Sequence, residues 1–377
     1  VSYGIESTYN YNYSKAYDQT LEIEGNQVIG LGQKFAIPTR YPSDGSSYTS
    51  FASYVNWSWN MSEFFTFNVG TRLTFTGLKA SWNDVISVNP QLSEINLNSK
   101  ALTTTVSIKL RPSKRVQINT VLSSGFRNPN IDDIGKIREN NGLLVVPNTF
   151  LKPEYAYNLD LGIDFRSLNN TNYISLRGFS TIISRHIGRD EYIVFSDITT
   201  PDLSTIIYNG EEVTTISNKN LGNRFIHGFS IDGFSKIMNN LKFDYGLTYT
   251  KGDNNDTYGP LPSISPLFGS IAFSYNKRGF NLRAVYKFSE AKNPSEYSFG
   301  GEDGLDETPF LINNEGLLTY LGTPKWSDLS IYGSKNISSN VTLRLGLTNV
   351  FDSHYRTFAS GISAPGRSFQ IGLNLKL

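Results

Sequence analysis

Period-two alternation runs through this chain almost from end to end, and few folds accommodate that. In "YAYNLDLGIDF", Tyr155, Tyr157, Leu159, Leu161, Ile163 and Phe165 share one face of an extended strand, and Asn158, Asp160, Gly162 and Asp164 share the other. "LKFDYGLTY" repeats the pattern, with Leu241, Phe243, Tyr245, Leu247 and Tyr249 opposing Lys242, Asp244, Gly246 and Thr248. Helical spacing competes over no long window. The runs reach about nine residues or more, enough for a tilted strand to cross the apolar band of a bilayer. Read as strands they number roughly fourteen, near 2–16, 48–60, 64–78, 99–111, 114–127, 153–166, 170–184, 223–237, 240–251, 265–276, 279–290, 326–335, 340–350 and 366–377.

The connections are of two kinds. Short links, "MSE", "PSK", "SLNN", "MNN", "NKRG" and "ISSN", alternate with long polar ones at 17–47, 79–98, 128–152, 185–222, 252–264, 291–325 and 351–365. Tight turns at one end and long loops at the other describe an antiparallel up-and-down transmembrane barrel, its turns periplasmic and its loops outside. The first strand then runs outward and the last runs inward. A soluble sandwich or propeller also alternates, but its strands average ~5–6 residues and its links are not sorted by length.

Composition fits an all-β membrane wall. Twenty-four Phe and 22 Tyr accompany a mean hydropathy of −0.29, as expected when only every second residue need be apolar. No run of ~18 apolar residues occurs, which excludes membrane-spanning helices, and no signal-like segment opens the chain. Charge is balanced, 34 Lys and Arg against 33 Asp and Glu, so no global field draws the chain to nucleic acid. With no cysteine there is no disulfide framework and no thiolate metal site. The faces opposite the apolar ones carry Arg72, Lys109, Asp160, Asp164, Lys242, Asp244, Arg283, Lys287 and Arg344. Mixed charge there implies a wide, polar lumen, because packing it into a small dry barrel would be costly.

Several stretches carry a resemblance. The C-terminal "LGLTNVFDSHYRTFASGISAPGRSFQIGLNLKL" resembles the end of the TonB-dependent outer-membrane receptors. There a strand runs into an Asn-x-Phe-Asp turn, a Tyr-Arg pair, Pro-Gly-Arg and the last strand. "SSGFRNPNIDDIG" followed by "PNTFLKPEYAYNLDLGIDF" is similar to an internal region of the same family, as are "YGIESTYNYNYSKAY" and "GPLPSISPLFGSIAFSY". The resemblance implies a 22-stranded barrel around an N-terminal plug. Residues 1–377 would then be its C-terminal portion, with the plug, the TonB-binding segment and the first strands absent, so that this portion alone is not expected to perform energised transport. It implies location in a Gram-negative-type outer membrane and contact with its lipid. It also implies uptake of a scarce bulky nutrient (iron chelate, haem, cobalamin or oligosaccharide) and coupling to the TonB complex only through the absent plug. Phe369, Ile371, Leu373, Leu375 and Leu377 resemble the signal read by the barrel-assembly machinery, although the usual last residue is Phe. That strand is expected to close the barrel against the first one.

Candidate ligand contacts lie in the outside loops: Arg127, Asn130, Asp132 and Asp133 at the start of one, Tyr355 and Arg356 in another. In haem receptors of this family, motifs like those at Arg127–Pro129 and Leu151–Glu154 bracket an iron-binding histidine, yet 130–148 contains none. His186, His227 and His354 read as unrelated polar residues, and the Tyr355–Arg356 pair reads more readily as a loop anchor than as a ligand clamp. The acidic runs "KGDNND" and "GGEDGLDE" lack the ordered spacing of a calcium loop and read as solvated turns. No metal site or cofactor is expected, and no catalytic constellation, since there is no Cys and no G-x-S-x-G elbow. The competing reading is a self-contained fourteen-stranded passive channel.

Overall fold

The computed structural model describes residues 1–37, 39, 41–82, 94–140, 142–193, 204–208, 210–255 and 257–376, so Leu377 of the terminal signal lies outside the described residues. One antiparallel sheet of fourteen strands forms the wall, each strand beside its predecessor in sequence. The wall strands are β1 (Ser2–Asn12), β2 (Ser46–Asn60), β3 (Phe65–Ser81), β4 (Glu94–Ser113), β5 (Val116–Arg127), β6 (Glu154–Arg166) and β7 (Asn172–Ser184). They continue with β8 (Arg224–Met238), β9 (Leu241–Gly252), β10 (Phe268–Lys277), β11 (Phe280–Ser289), β12 (Trp326–Asn336), β13 (Val341–Thr348) and β14 (Ser368–Leu375). All fourteen coincide with the period-two runs. Among the described residues β1 and β14 are the two ends of the sheet, and their outward apolar residues, such as Tyr3 and Phe369, are exposed.

Register shows why alternation builds this wall. Residues directly opposite in neighbouring strands share a face, so Trp57 opposite Val69 and Leu73 opposite Leu102 belong to one face, and Arg72 opposite Tyr54 and Thr103 to the other. The first face leaves Phe51, Phe75, Leu102, Leu122 and Leu161 exposed in the middle of long strands, a belt that only an apolar surrounding would cover. Near the short turns this face carries aromatics, Trp57 stacked on Trp59 at 5.7 Å and Phe243 beside Phe273 at 4.9 Å, as membrane interfaces favour. The second face pairs its charges across strands. Arg72 reaches Glu6 at 3.1 Å, Arg283 reaches Asp244 at 3.3 Å, and Asp164 accepts from Asn119 and Tyr173 at 3.0 Å each and from Arg177 at 3.3 Å. The turns are tight where the sequence is short. Between β10 and β11, Arg278 and Gly279 both take positive φ, 49° and 72°, the geometry of a type I′ hairpin whose twist matches its strands.

The long loops fold as well. After β1 a hairpin, Ala16–Glu24 with Gln27–Ile37, projects beyond the wall. The loops after β5 and β7 join in a small sheet of Arg138–Asn140, Leu143–Val145, Ile187–Glu191, Thr205–Tyr208 and Glu211–Asn220, here called the cap. Its core is shared with the wall. On β3 the lumen face turns from Thr74 and Thr76 to Leu78 and Ala80, and these pack with Trp82, Ile95, Ile134, Ile137, Leu144, Val146, Leu151, Ile187 and Val213. Polar positions become apolar because the cap folds inward there and excludes water.

Candidate functional site

The sequence-selected residues separate into two places. Arg127 ends β5 directly opposite Glu154 and is ion-paired with Asp133. Asn130 caps the short helix Ile131–Ile134: its side chain accepts from the Asp133 N–H at 3.0 Å, and the Asp133 carboxylate accepts from the Asn130 N–H at 3.0 Å. Asp132 pairs with Lys136 at 3.6 Å. Burial pushes the Asp133 carboxyl above its ordinary range, against the opposing pull of the Asn130 N–H and Arg127. These four residues thus tie the base of the cap to the wall. His186 belongs to the same knot: it is buried, and its Nδ1 lies 3.0 Å from the Glu154 carboxylate, which also accepts from the Ile187 N–H at 2.6 Å.

Tyr355 and Arg356 lie elsewhere, in a cavity of about 580 Å³ between the loops 291–325 and 351–365. His354, Lys325, Glu307, Asp303 and Phe310 help to line it. The Tyr355 ring stacks on Trp326, the first residue of β12, at 4.4 Å and 13°. Arg356 donates to the Glu307 carbonyl at 2.9 Å and to Ser363 Oγ at 3.3 Å, which binds one loop to the other. His354 Nε2 lies 3.2 Å from the same Ser363 Oγ. The pair is therefore a loop anchor, as its sequence suggested, and also part of a cavity wall.

Behind the cavity is a buried charge. Lys292, 3% exposed, donates to the Ile264 carbonyl at 2.5 Å, sits 4.2 Å above the Phe358 ring and lies 3.8 Å from Asp303. Asp303 in turn accepts from the Ser263 N–H at 2.8 Å, so three loops meet here. Burial lowers the pKa of Lys292 and raises that of Asp303, each opposed by the other's charge. The "GGEDGLDE" run is not a solvated turn: Asp303 goes to Lys292 and Glu302 to Arg189. In "KGDNND", Asp253 pairs with Arg224 at 3.0 Å, and Asp256 lies outside the described residues. Spacing gave no sign of the Lys292–Asp303 pair, whose members meet only through the folding of two loops. The apolar parity of Leu78, Ala80 and Trp82 was a usable sign of the cap. Among the described residues no group of three or more His, Asp or Glu could hold a metal ion. The cavity offers cationic, acidic, hydroxyl and aromatic contacts, which suits binding of a polar organic ligand.

The family described as "TonB dependent receptor-like, beta-barrel" matches residues 2–350. Hemoglobin-binding protein A of Haemophilus influenzae is 26% identical over 277 residues, 68% of this chain and 25% of that protein. Hemoglobin-haptoglobin utilization protein B of Neisseria meningitidis is 22% identical over 272 residues, 66% of this chain and 31% of that protein. Among solved structures, the copper transporter OprC superposes with a TM-score of 0.71 at 15% identity, over all of this chain and 53% of its own. The siderophore receptor PiuA of Acinetobacter baumannii gives 0.63 at 15% identity, over 93% of this chain and 46% of its own. The chain thus spans about a quarter to a third of these curated relatives and about half of these solved chains. With its alternating wall, polar lumen and folded outer loops, the chain belongs to the TonB-dependent receptors, and the part of them that it forms is β-barrel wall.

Proposed function

We propose that residues 1–377 are the C-terminal barrel portion of an outer-membrane receptor that takes up a scarce bulky nutrient. The observation that carries this reading is the 580 Å³ cavity, walled by two folded outer loops above a polar lumen. Tyr355 and Arg356 are its ligand contacts in this reading, and Arg127, Asn130, Asp132 and Asp133 hold the cap beside it. Haem iron is the first nutrient to try, because the similar curated proteins carry haemoglobin in their names. Lys325 and Arg356 would meet carboxylates of such a ligand, and Phe310 its apolar body. Energy would come from TonB through a plug domain outside this chain. The outward row Phe369, Ile371, Leu373 and Leu375, exposed on β14, supports its role toward lipid and the assembly machinery of a Gram-negative-type outer membrane.

The test is a titration of the full-length receptor in detergent with haemin, haemoglobin and a ferric siderophore, followed by growth of a deletion strain on each as sole iron source. Binding of one of them, with growth lost in the deletion strain and in a TonB-deficient strain, is the expected result. A receptor that binds none, or growth that survives loss of TonB, would overturn the reading.

A further inference from the structure

The cap and the C-terminal loops arise from separate parts of the wall. The cap strand Ile187–Glu191 follows β7 and the loop 291–325 follows β11, four positions apart in the sheet, or roughly 19 Å at ~4.8 Å per strand. Arg189 joins these two assemblies by both a hydrogen bond and an ion pair. Arg189 donates from Nη1 to the Gly300 carbonyl at 2.7 Å, and its Nε lies 3.7 Å from Glu302 Oε1. The two charged side chains are 20% and 24% exposed, so water screens them less than it would a free surface pair.

Both ends of this contact are anchored by the neighbouring residue. Asp190, next to Arg189, pairs with Lys219 inside the cap at 3.3 Å, and Asp303, next to Glu302, faces buried Lys292. Gly300 is fitted to the approach: a Cβ there would stand 2.5 Å from the Arg189 Cβ. A bond between two anchored ends opens as a unit, since breaking it need not unravel either side.

We infer that Arg189 is a latch that holds the cap to the C-terminal loops across the outer mouth of the wall, and that its release sets how far the mouth opens. A carboxylate-bearing solute presents to Arg189 the same chemistry as Glu302 and is its natural competitor. The segment that ends the latch also begins the cavity wall at Asp303.

The test uses the complete receptor, freed of any cysteine outside this cysteine-free stretch, with nitroxide labels at the exposed Glu212 of the cap and Glu315 of the loop hairpin. Electron–electron double resonance in lipid nanodiscs reads the distance between them. The intact receptor should give one narrow distribution, and Arg189→Ala should widen it at least twofold and shift it to longer distance. Arg177→Ala, which removes a lumen arginine paired with Asp164, should leave it unchanged. An unchanged distribution in Arg189→Ala overturns the latch, as does equal widening in Arg177→Ala, which would mean general loosening. Should Arg189→Ala fail to reach the membrane, Gly300→Ala carries the same test from the other side.

Discussion

The cap and the C-terminal loop cluster solve one problem in opposite ways. Both must order long polar segments beyond the end of the wall, where conformational entropy opposes every fixed residue. The cap does it with oil: Leu144 and Ile134 are wholly buried in a core that borrows Leu78 and Ala80 from the wall. The C-terminal cluster does it with charge: Lys292 over the Phe358 ring, Asp303 on the Ser263 N–H, and Arg356 on the Glu307 carbonyl. A core tolerates small rearrangements of its surface, whereas a buried ion pair leaves an uncompensated charge as soon as one partner goes. The second device is therefore more brittle.

That contrast is broken most directly at Lys292. Lys292→Met strands the Asp303 carboxylate and should cost about 3–5 kcal/mol of local stability. Hydrogen exchange by mass spectrometry should show loss of protection over 292–308 with the cap unaffected. The double variant Lys292→Met with Asp303→Leu should recover most of that loss, because two apolar side chains of similar volume need no compensation. Failure of the double variant to recover would mean that the hydrogen bonds to Ile264 and Ser263, not the charges, hold the loops. The matching change in the cap is Leu144→Ala, expected to cost about 2–5 kcal/mol and to expose amides of 143–146 and 213–216 while sparing 292–308. Loss of protection in both regions at once would mean that they fold as one unit.

The dependence on pH separates the two regions by sign. Burial raises Asp133 in the cap and Asp303 in the cluster, so in each the native state holds a proton that the unfolded chain has already lost. Stability contributed there falls as pH rises from 3.8 through the raised pKa, and this limb is common to both. Lys292 has no counterpart in the cap. Its folded pKa is lowered below 10.5, so between that lowered value and 10.5 the unfolded chain binds more protons and stability rises with pH. The raised Tyr297 phenol opposes this above 10.0. Protection factors, rather than raw exchange rates, should therefore climb over 292–308 as pH rises through the lowered Lys292 value, whereas over 143–146 they should stay level up to 10.0 and fall above it, where the raised Tyr192 and Tyr208 phenols of the cap oppose stability. Equal slopes in the two regions would remove Lys292 as the cause.

How much of this was legible in the sequence follows from the range of the interactions concerned. Alternation is a local signal, and it located every wall strand; β1 ends at Asn12 rather than near 16, and β4 begins at Glu94 rather than near 99. Short and long links were equally plain. The long links read only as polar, and the acidic runs in two of them as solvated turns, because their order is not local. Ile134 of the helix Ile131–Ile134 shares a buried cluster with Trp82 and Ile95, and Asp303 meets Lys292 through the tertiary path of loop 291–325. The Tyr355–Arg356 pair is visible in the sequence, but its partners are not, because Tyr355 stacks on Trp326 and Arg356 donates to the Glu307 carbonyl, and the cavity that they share with Lys325 and Glu307 exists only between two loops.

The smallest expected effect tests the seam between wall and cap. Asn130 and Asp133 satisfy each other's backbone N–H groups at the start of the helix, and Arg127 pins the same carboxylate from the end of β5. Asn130→Ala removes the cap on the Asp133 N–H but leaves both the Arg127 ion pair and the apolar core, so it should cost only about 1 kcal/mol. Exchange at 131–135 should quicken several-fold while 143–146 keep their protection. If the whole cap opened instead, its order would rest on this polar seam, and the contrast between an oil-held and a charge-held loop assembly would not stand.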